Sequence, residues 1–235
     1  MIRRRLLAQG PTEPPGFDSH GVPETPTDCQ LSYDGFGFQC QSVESADGRW
    51  TLAFGRRSDG EQSRWFRFQR DKLVDVHVID RPVDAAIAND GSAIVVSGST
   101  PDTVGATAHL LDSGQRQHSL SFDSNLSRPA ISDDGEWAAV CTRPPAPTLS
   151  IFQLRSGAEQ HNQTFRERSA RLLGFHEGAD DPVLYVGVRA TAEPYLGVDP
   201  EGAVVWESDR HWESRSLTDR VGLFAQSVRS FGHSR

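Results

Sequence analysis

A short turn returns three times along this chain, as Asp47-Gly48, Asn89-Asp90-Gly91 and Asp133-Asp134-Gly135. Each copy leads at once into an apolar run, RWTLAFG, SAIVVSG and EWAAVCT, and the glycines stand 43 and then 44 residues apart. Glycine enters the φ > 0 region without steric cost, and an Asp or Asn before it bonds its own backbone or tolerates that region. Asp-Gly between alternating runs therefore marks a β-hairpin. A second turn keeps the same period independently, with Gly114, Gly157 and Gly202 lying 43 and 45 residues apart. Two turns at one period define a repeat.

Strand-like runs fill the intervals. FGFQCQSV, RWTLAFG, WFRF and LVDVHVI make a first unit whose strands begin at Phe36. VDAAIA, SAIVVSG, ATAHLLD and RQHSLSF make a second, and RPAIS, EWAAVCT, LSIFQL and AEQHNQTF a third. In the fourth, RLLGFH, VLYVGV, YLGVD and AVVWES surround a degenerate first turn, Gly178-Ala179-Asp180-Asp181. Four strands in roughly 40–45 residues is the arithmetic of a propeller blade. The expectation is an all-β chain, a β-propeller or open propeller arc of about four four-stranded blades at 29–80, 81–126, 127–168 and 169–209. The 21 glycines and 14 prolines agree with so many turns. Four blades make a small ring. Two routes to closure follow: the Phe36 region and the C-terminal segment combine into a partial fifth blade, or the arc pairs with another chain.

The flanks read differently. Residues 1–28 carry Pro11, Pro14, Pro15, Pro23 and Pro26 with almost no apolar periodicity, which predicts a flexible arm. In 210–235, Leu217, Val221, Phe224, Val228 and Phe231 advance in steps of 4, 3, 4 and 3, with Ser216 and Asp219 placed as a capping box. That spacing predicts a short C-terminal helix whose stripe covers an open end of the arc.

Charge narrows the partners. Of 24 basic residues only Lys72 is lysine, and 32 acidic residues leave a net charge of −8. Such a chain offers no general basic field to nucleic acid or an anionic membrane. Arginine in place of lysine with an acidic excess fits either a high-salt cytoplasm or GC-rich codon usage. No apolar run approaches a membrane span, and Leu6-Leu7-Ala8 after Arg3-Arg4-Arg5 is too short for a secretion-signal core, so a cytoplasmic location is expected.

No chemical motif emerges. The eight histidines form no H-E-x-x-H pattern, and neither a G-x-S-x-G elbow nor a phosphate-binding loop is present. Cys29, Cys40 and Cys141 lack metal-ligand spacing, and Cys141, in an apolar run, reads as a buried thiol. The Asp-Gly turns are too short to converge the roughly six to eight oxygens that calcium takes. No catalytic, metal or cofactor residue is assigned. Arg81, Arg128 and Arg171 recur near the start of a unit's first strand, at a propeller's mouth. There guanidiniums bind an anion or an acidic peptide bidentately, or else pair with neighbours such as Asp80 and Glu167.

AISDDGEWAAV and AIANDGSAIVV resemble the TolB-type and WD40-like propeller repeats, and LGVDPEGAVVWES is similar to a pyrrolo-quinoline-quinone type of blade ending. The WD dipeptide is missing, and no GH dipeptide falls within the repeats, the one copy being Gly232-His233. The resemblance implies a propeller, and for function two readings. One is a non-catalytic binding or scaffold protein without cofactor, monomeric or a self-paired arc, with an unidentified protein partner. The other is a propeller-type, quinone-dependent oxidoreductase, whose metal and planar-cofactor site finds no residues here.

Overall fold

A computed structural model describes residues 26–98, 105–114, 116–143, 147–165, 170–177, 182–188 and 196–208. The C-terminal helix expected in 210–235, most of the N-terminal arm and the turn at 178–181 lie outside the described residues.

The described chain is all β, and it meanders. The first sheet holds β1 (Thr27–Tyr33), β2 (Phe36–Glu44), β3 (Trp50–Arg57), β4 (Ser63–Gln69) and β5 (Lys72–Ile79). The second holds β6 (Pro82–Ile87), β7 (Ala93–Ser97), β8 (Ala106–Leu111) and β9 (Gln117–Phe122). β10 (Ala130–Ile131), β11 (Trp137–Cys141), β12 (Thr148–Gln153) and β13 (Ala158–Thr164) form the third. β14 (Ala170–Glu177), β15 (Pro182–Val188), β16 (Leu196–Val198) and β17 (Val204–Glu207) form the fourth. Every strand pairs antiparallel with its sequence neighbour, and each sheet is made of consecutive strands. This is the blade order of a β-propeller or open propeller arc.

One strand departs from the sequence reading, which begins the strands at Phe36. Asp34 (φ 53°) and Gly35 (φ 78°) close a two-residue hairpin that pairs β1 with β2 and gives the first blade a fifth strand. Two positive φ values in the loop match the right-handed twist of the flanking strands. The Phe36 region is thus paired on both sides, with β1 and β3, inside the first blade.

Stacking of neighbouring blades explains the burial. Leu52, Phe54 and Trp65 meet Ala85, Ile87 and Val95 between blades one and two. Ile94, Val96 and Leu110 meet Val140, Phe152 and Leu154 between two and three. Leu149 and Ile151 meet Leu172, Leu184 and Val186 between three and four. Each of the larger of these side chains contributes about 1.5–3 kcal/mol on leaving water. A strand sandwiched on both faces must be apolar on both, and β7, AIVVS, is buried throughout. The outer strand β9, QHSLSF, alternates instead. The first blade has a second core on its other face, where Phe38 and Phe66 pack edge to face with centroids 5.1 Å apart. Tyr33 on β1 also reaches Phe66 on β4, at 5.6 Å, so this sheet coils over itself.

Candidate functional site

The repeated turns gather at one end of the arc, and their side chains build them alike. Ser45 Oγ donates to Asp47 Oδ1 (2.8 Å) and accepts from the Trp50 amide (3.0 Å). Ser132 Oγ does the same with Asp134 (2.6 Å) and the Trp137 amide (2.9 Å). In the second blade Ala88 replaces that serine, and Ser92 bonds Asp90 from the other side, by its amide (2.7 Å) and its hydroxyl (2.9 Å). The turns also join sideways. The Asp47 amide donates to Asn89 Oδ1 and the Asn89 amide to the Asp133 carbonyl, each at 2.9 Å. Burial, with Asp134 and Asp47 nearby, raises the Asp133 carboxyl above the usual range against the pull of His176. Among the described residues, Asp47, Asp90 and Asp134 each use carboxylate oxygens to close their own turn, and Asp180 and Asp181 lie outside the described residues.

At the second turns a histidine of one blade packs on a glycine of the next: His118 on Gly157, and His161 on Gly202. The His118 Nε2 lies 3.2 Å from the Arg155 carbonyl. Within blade two, Ser97 Oγ stands 2.9 Å from His109 Nε2, the spacing of a nucleophile and its base. His109 Nδ1 meets the Ser119 hydroxyl at 3.0 Å, however, where such a pair needs a carboxylate, and burial lowers the imidazole pKa. Ser97 is 6 % exposed. The three groups satisfy one another's hydrogen bonds inside the blade.

The three arginines separate. Arg128 lies 3.5 Å from Asp84 on the first strand of the preceding blade, not from a sequence neighbour. Burial raises the Asp84 carboxyl, while Arg128, the Ala85 amide and Arg143 pull it down. Arg81 sits between β5 and β6 at φ 44°, with its carbonyl accepting from the Gly98 amide. Arg171 is the second residue of β14, and its side chain lies outside the described residues. The ion pair with Asp84 offsets part of the charge that Arg128 would offer an anion at the mouth.

A cleft of about 610 Å³ opens instead between β1–β3 and Pro82 at the start of blade two. Register lays out its wall as two rows across three strands. Gln30 opposes Gln39, which opposes Arg56, and Asp28 opposes Gln41, which opposes Phe54. Gln41 Nε2 approaches Asp28 Oδ1 at 3.5 Å, and Arg56 Nε donates to the Gly60 carbonyl at 2.8 Å. Gly55 keeps β2 and β3 close here, because a Cβ would run into Gln39 and Cys40 backbone. Cys29 and Cys40 also border the cleft. Sequence reasoning missed it, since Gln39 and Gln41 stand out only once β1 is paired beside them.

No protein-family model matches the chain, and no curated protein matches its sequence. Several solved structures are similar in shape. One is the β-propeller domain of the Trilobed protease from Pyrococcus furiosus, described as having an open velcro topology (12 % identity, TM-score 0.48, 72 % of this chain and 58 % of that one). Others are a prolyl endopeptidase (11 %, 0.39, 86 % and 39 %) and a eukaryotic initiation factor (11 %, 0.43, 54 % and 32 %). The chain thus spans less than two thirds of the length of these structures. Among the described residues, no helix is long and apolar enough to cross a membrane, and no group of three His, Cys, Asp or Glu side chains is placed to hold a metal ion.

Proposed function

We propose that the chain is a non-catalytic binding platform that holds an extended segment of a protein partner in the cleft beside Pro82. The observation that carries this reading is the carboxamide pattern of the wall. Gln39 and Gln41 project from the same face of β2 two residues apart, and Gln30 stands opposite Gln39. A carboxamide offers both a donor and an acceptor, as a peptide group does. Two strand residues span about 6.8 Å, the repeat of an extended peptide, so neighbouring carboxamides match alternate peptide groups. Asp28 at one end and Arg56 at the other set a polarity, and Phe54 forms an apolar floor.

Selection of peptides from a displayed random library on the purified chain tests this. The expected result is a family of linear peptides whose affinity falls about tenfold with Gln39→Ala or Gln41→Ala, at unchanged melting temperature. That fall corresponds to about 1.4 kcal/mol. Bound peptides indifferent to both substitutions, or a library that yields none, would overturn it.

A further inference from the structure

We propose that Cys29 and Cys40 are the site of a reversible disulfide, formed by exchange with a low-molecular-weight disulfide and locking β1 onto the first blade. The two residues are direct register partners across the β1–β2 hairpin, and both pack on the same face of the sheet against the Phe38–Phe66 core. Both are free thiols on the Phe38–Phe66 face of the first sheet, with Cys40 buried and Cys29 partly exposed. Attack therefore begins at Cys29, and Cys40 resolves it from behind.

Geometry sets the character of the bond. A two-residue hairpin makes Tyr33–Phe36 a hydrogen-bonded pair, and alternation makes Cys29–Cys40 another. Such pairs hold their Cα atoms about 5.5 Å apart, inside the disulfide range, while their Cβ atoms, at about 4.5–5.5 Å, stand wider than a relaxed disulfide wants. The strands must draw together slightly, and a strained, accessible disulfide is more readily reduced. In the exchange, the Cys29 thiolate attacks the small disulfide and expels one thiolate. The Cys40 thiolate then attacks the Cys29 sulfur and expels the second. Two protein thiols lose two electrons and their two protons, and one small disulfide becomes two thiols. Burial raises both thiols, Cys40 to about 12, so exchange is slow at neutral pH and accelerates as pH rises.

The test incubates the full chain with oxidised glutathione and counts thiols in denaturant. The expected count falls from three to one, with Cys141 remaining, as a monomer lighter by two hydrogens, and dithiothreitol restores three. Cys29→Ser should keep its two remaining thiols, apart from glutathione-capped species. Hydrogen exchange should show β1 amides at least tenfold slower in the oxidised chain. An unchanged count, a covalent dimer, or a bond that includes Cys141 would overturn the proposal. So would a Cys29–Cys40 bond that leaves β1 exchange unaltered.

Discussion

Arg67, on β4 of the first blade, donates from Nη1 to the carbonyl oxygen of Gly91 in the first turn of the second, at 2.7 Å. The same nitrogen reaches the Asp112 carbonyl in that blade's second turn at 3.4 Å, and Nη2 meets Asp75 at 2.6 Å. Its guanidinium carbon also lies 5.5 Å from the Trp50 ring. One buried cation thus spans both turns of a neighbouring blade. Asp75→Ala leaves that charge uncompensated and should cost about 3–5 kcal/mol. Arg67→Met with Asp75→Leu removes both charges and orphans only the two carbonyls. It should cost less than Asp75→Ala alone, about 1–3 kcal/mol. Urea unfolding of the three chains measures the order, and a double variant weaker than the single one would contradict it.

The turn glycines should differ in a graded way. A Cβ at Gly48 (φ +66°) meets nothing within 4 Å, so Gly48→Ala should cost only the left-handed backbone, about 1–2 kcal/mol. At Gly91 (φ +88°) it would also lie 2.7 Å from the Trp50 ring, and Gly91→Ala should cost about 2–5 kcal/mol. Equal denaturation midpoints would mean that the blade contact adds nothing.

Asp133 carries a pH dependence. Its carboxyl is raised by burial, then by Asp134 and Asp47, so its share of stability is complete below the unfolded pKa and is lost as pH rises through the folded one. Asp133→Asn should therefore melt higher than the parent chain at neutral pH and lose that lead in acid. Concentrated salt should narrow the gap by screening the two neighbouring carboxylates. A lead that ignores both pH and salt would refute this account.

Arg128 should act through Asp84. Asp84 is already raised by burial, and Arg128→Gln removes the strongest group that lowers it. The Asp84 pKa should rise further, moving upward the pH window in which its stabilising contribution is lost. Melting curves of Arg128→Gln and the parent should converge in acid and separate toward neutral pH. Coincidence of Asp84→Asn with the double variant Asp84→Asn/Arg128→Gln across the same pH range would tie the effect to this pair.

What was legible in the sequence was whatever is local. Asp47-Gly48 and Asp133-Asp134-Gly135 announce themselves because the turn is built from its own side chains. β7 is legible because burial on both faces demands an unbroken apolar run. β1 was hidden although its hairpin turn, Asp34-Gly35, is of the same kind. Its alternation of Cys29, Leu31 and Tyr33 is diluted by polar partners and follows a proline-rich stretch. The partner of Arg128 was sought nearby in sequence and stands one blade away, at Asp84. Side-chain pairs between blades, like the two rows of the cleft, come from register and stacking, which no spacing along the chain encodes.

His118 seated on Gly157 and His161 seated on Gly202 are the same joint used twice. Excising 127–168 would bring His118 to Gly202 with no new kind of contact, so the middle of the arc can lengthen or shorten by whole units. The two ends have no such freedom. The first blade closes on its own Phe38–Phe66 face, and in the fourth Tyr185 and Trp206 form a small buried cluster of their own with Val183. In a chain whose blades are interchangeable inside and individual outside, the bookends rather than the shelf decide how many blades the arc keeps.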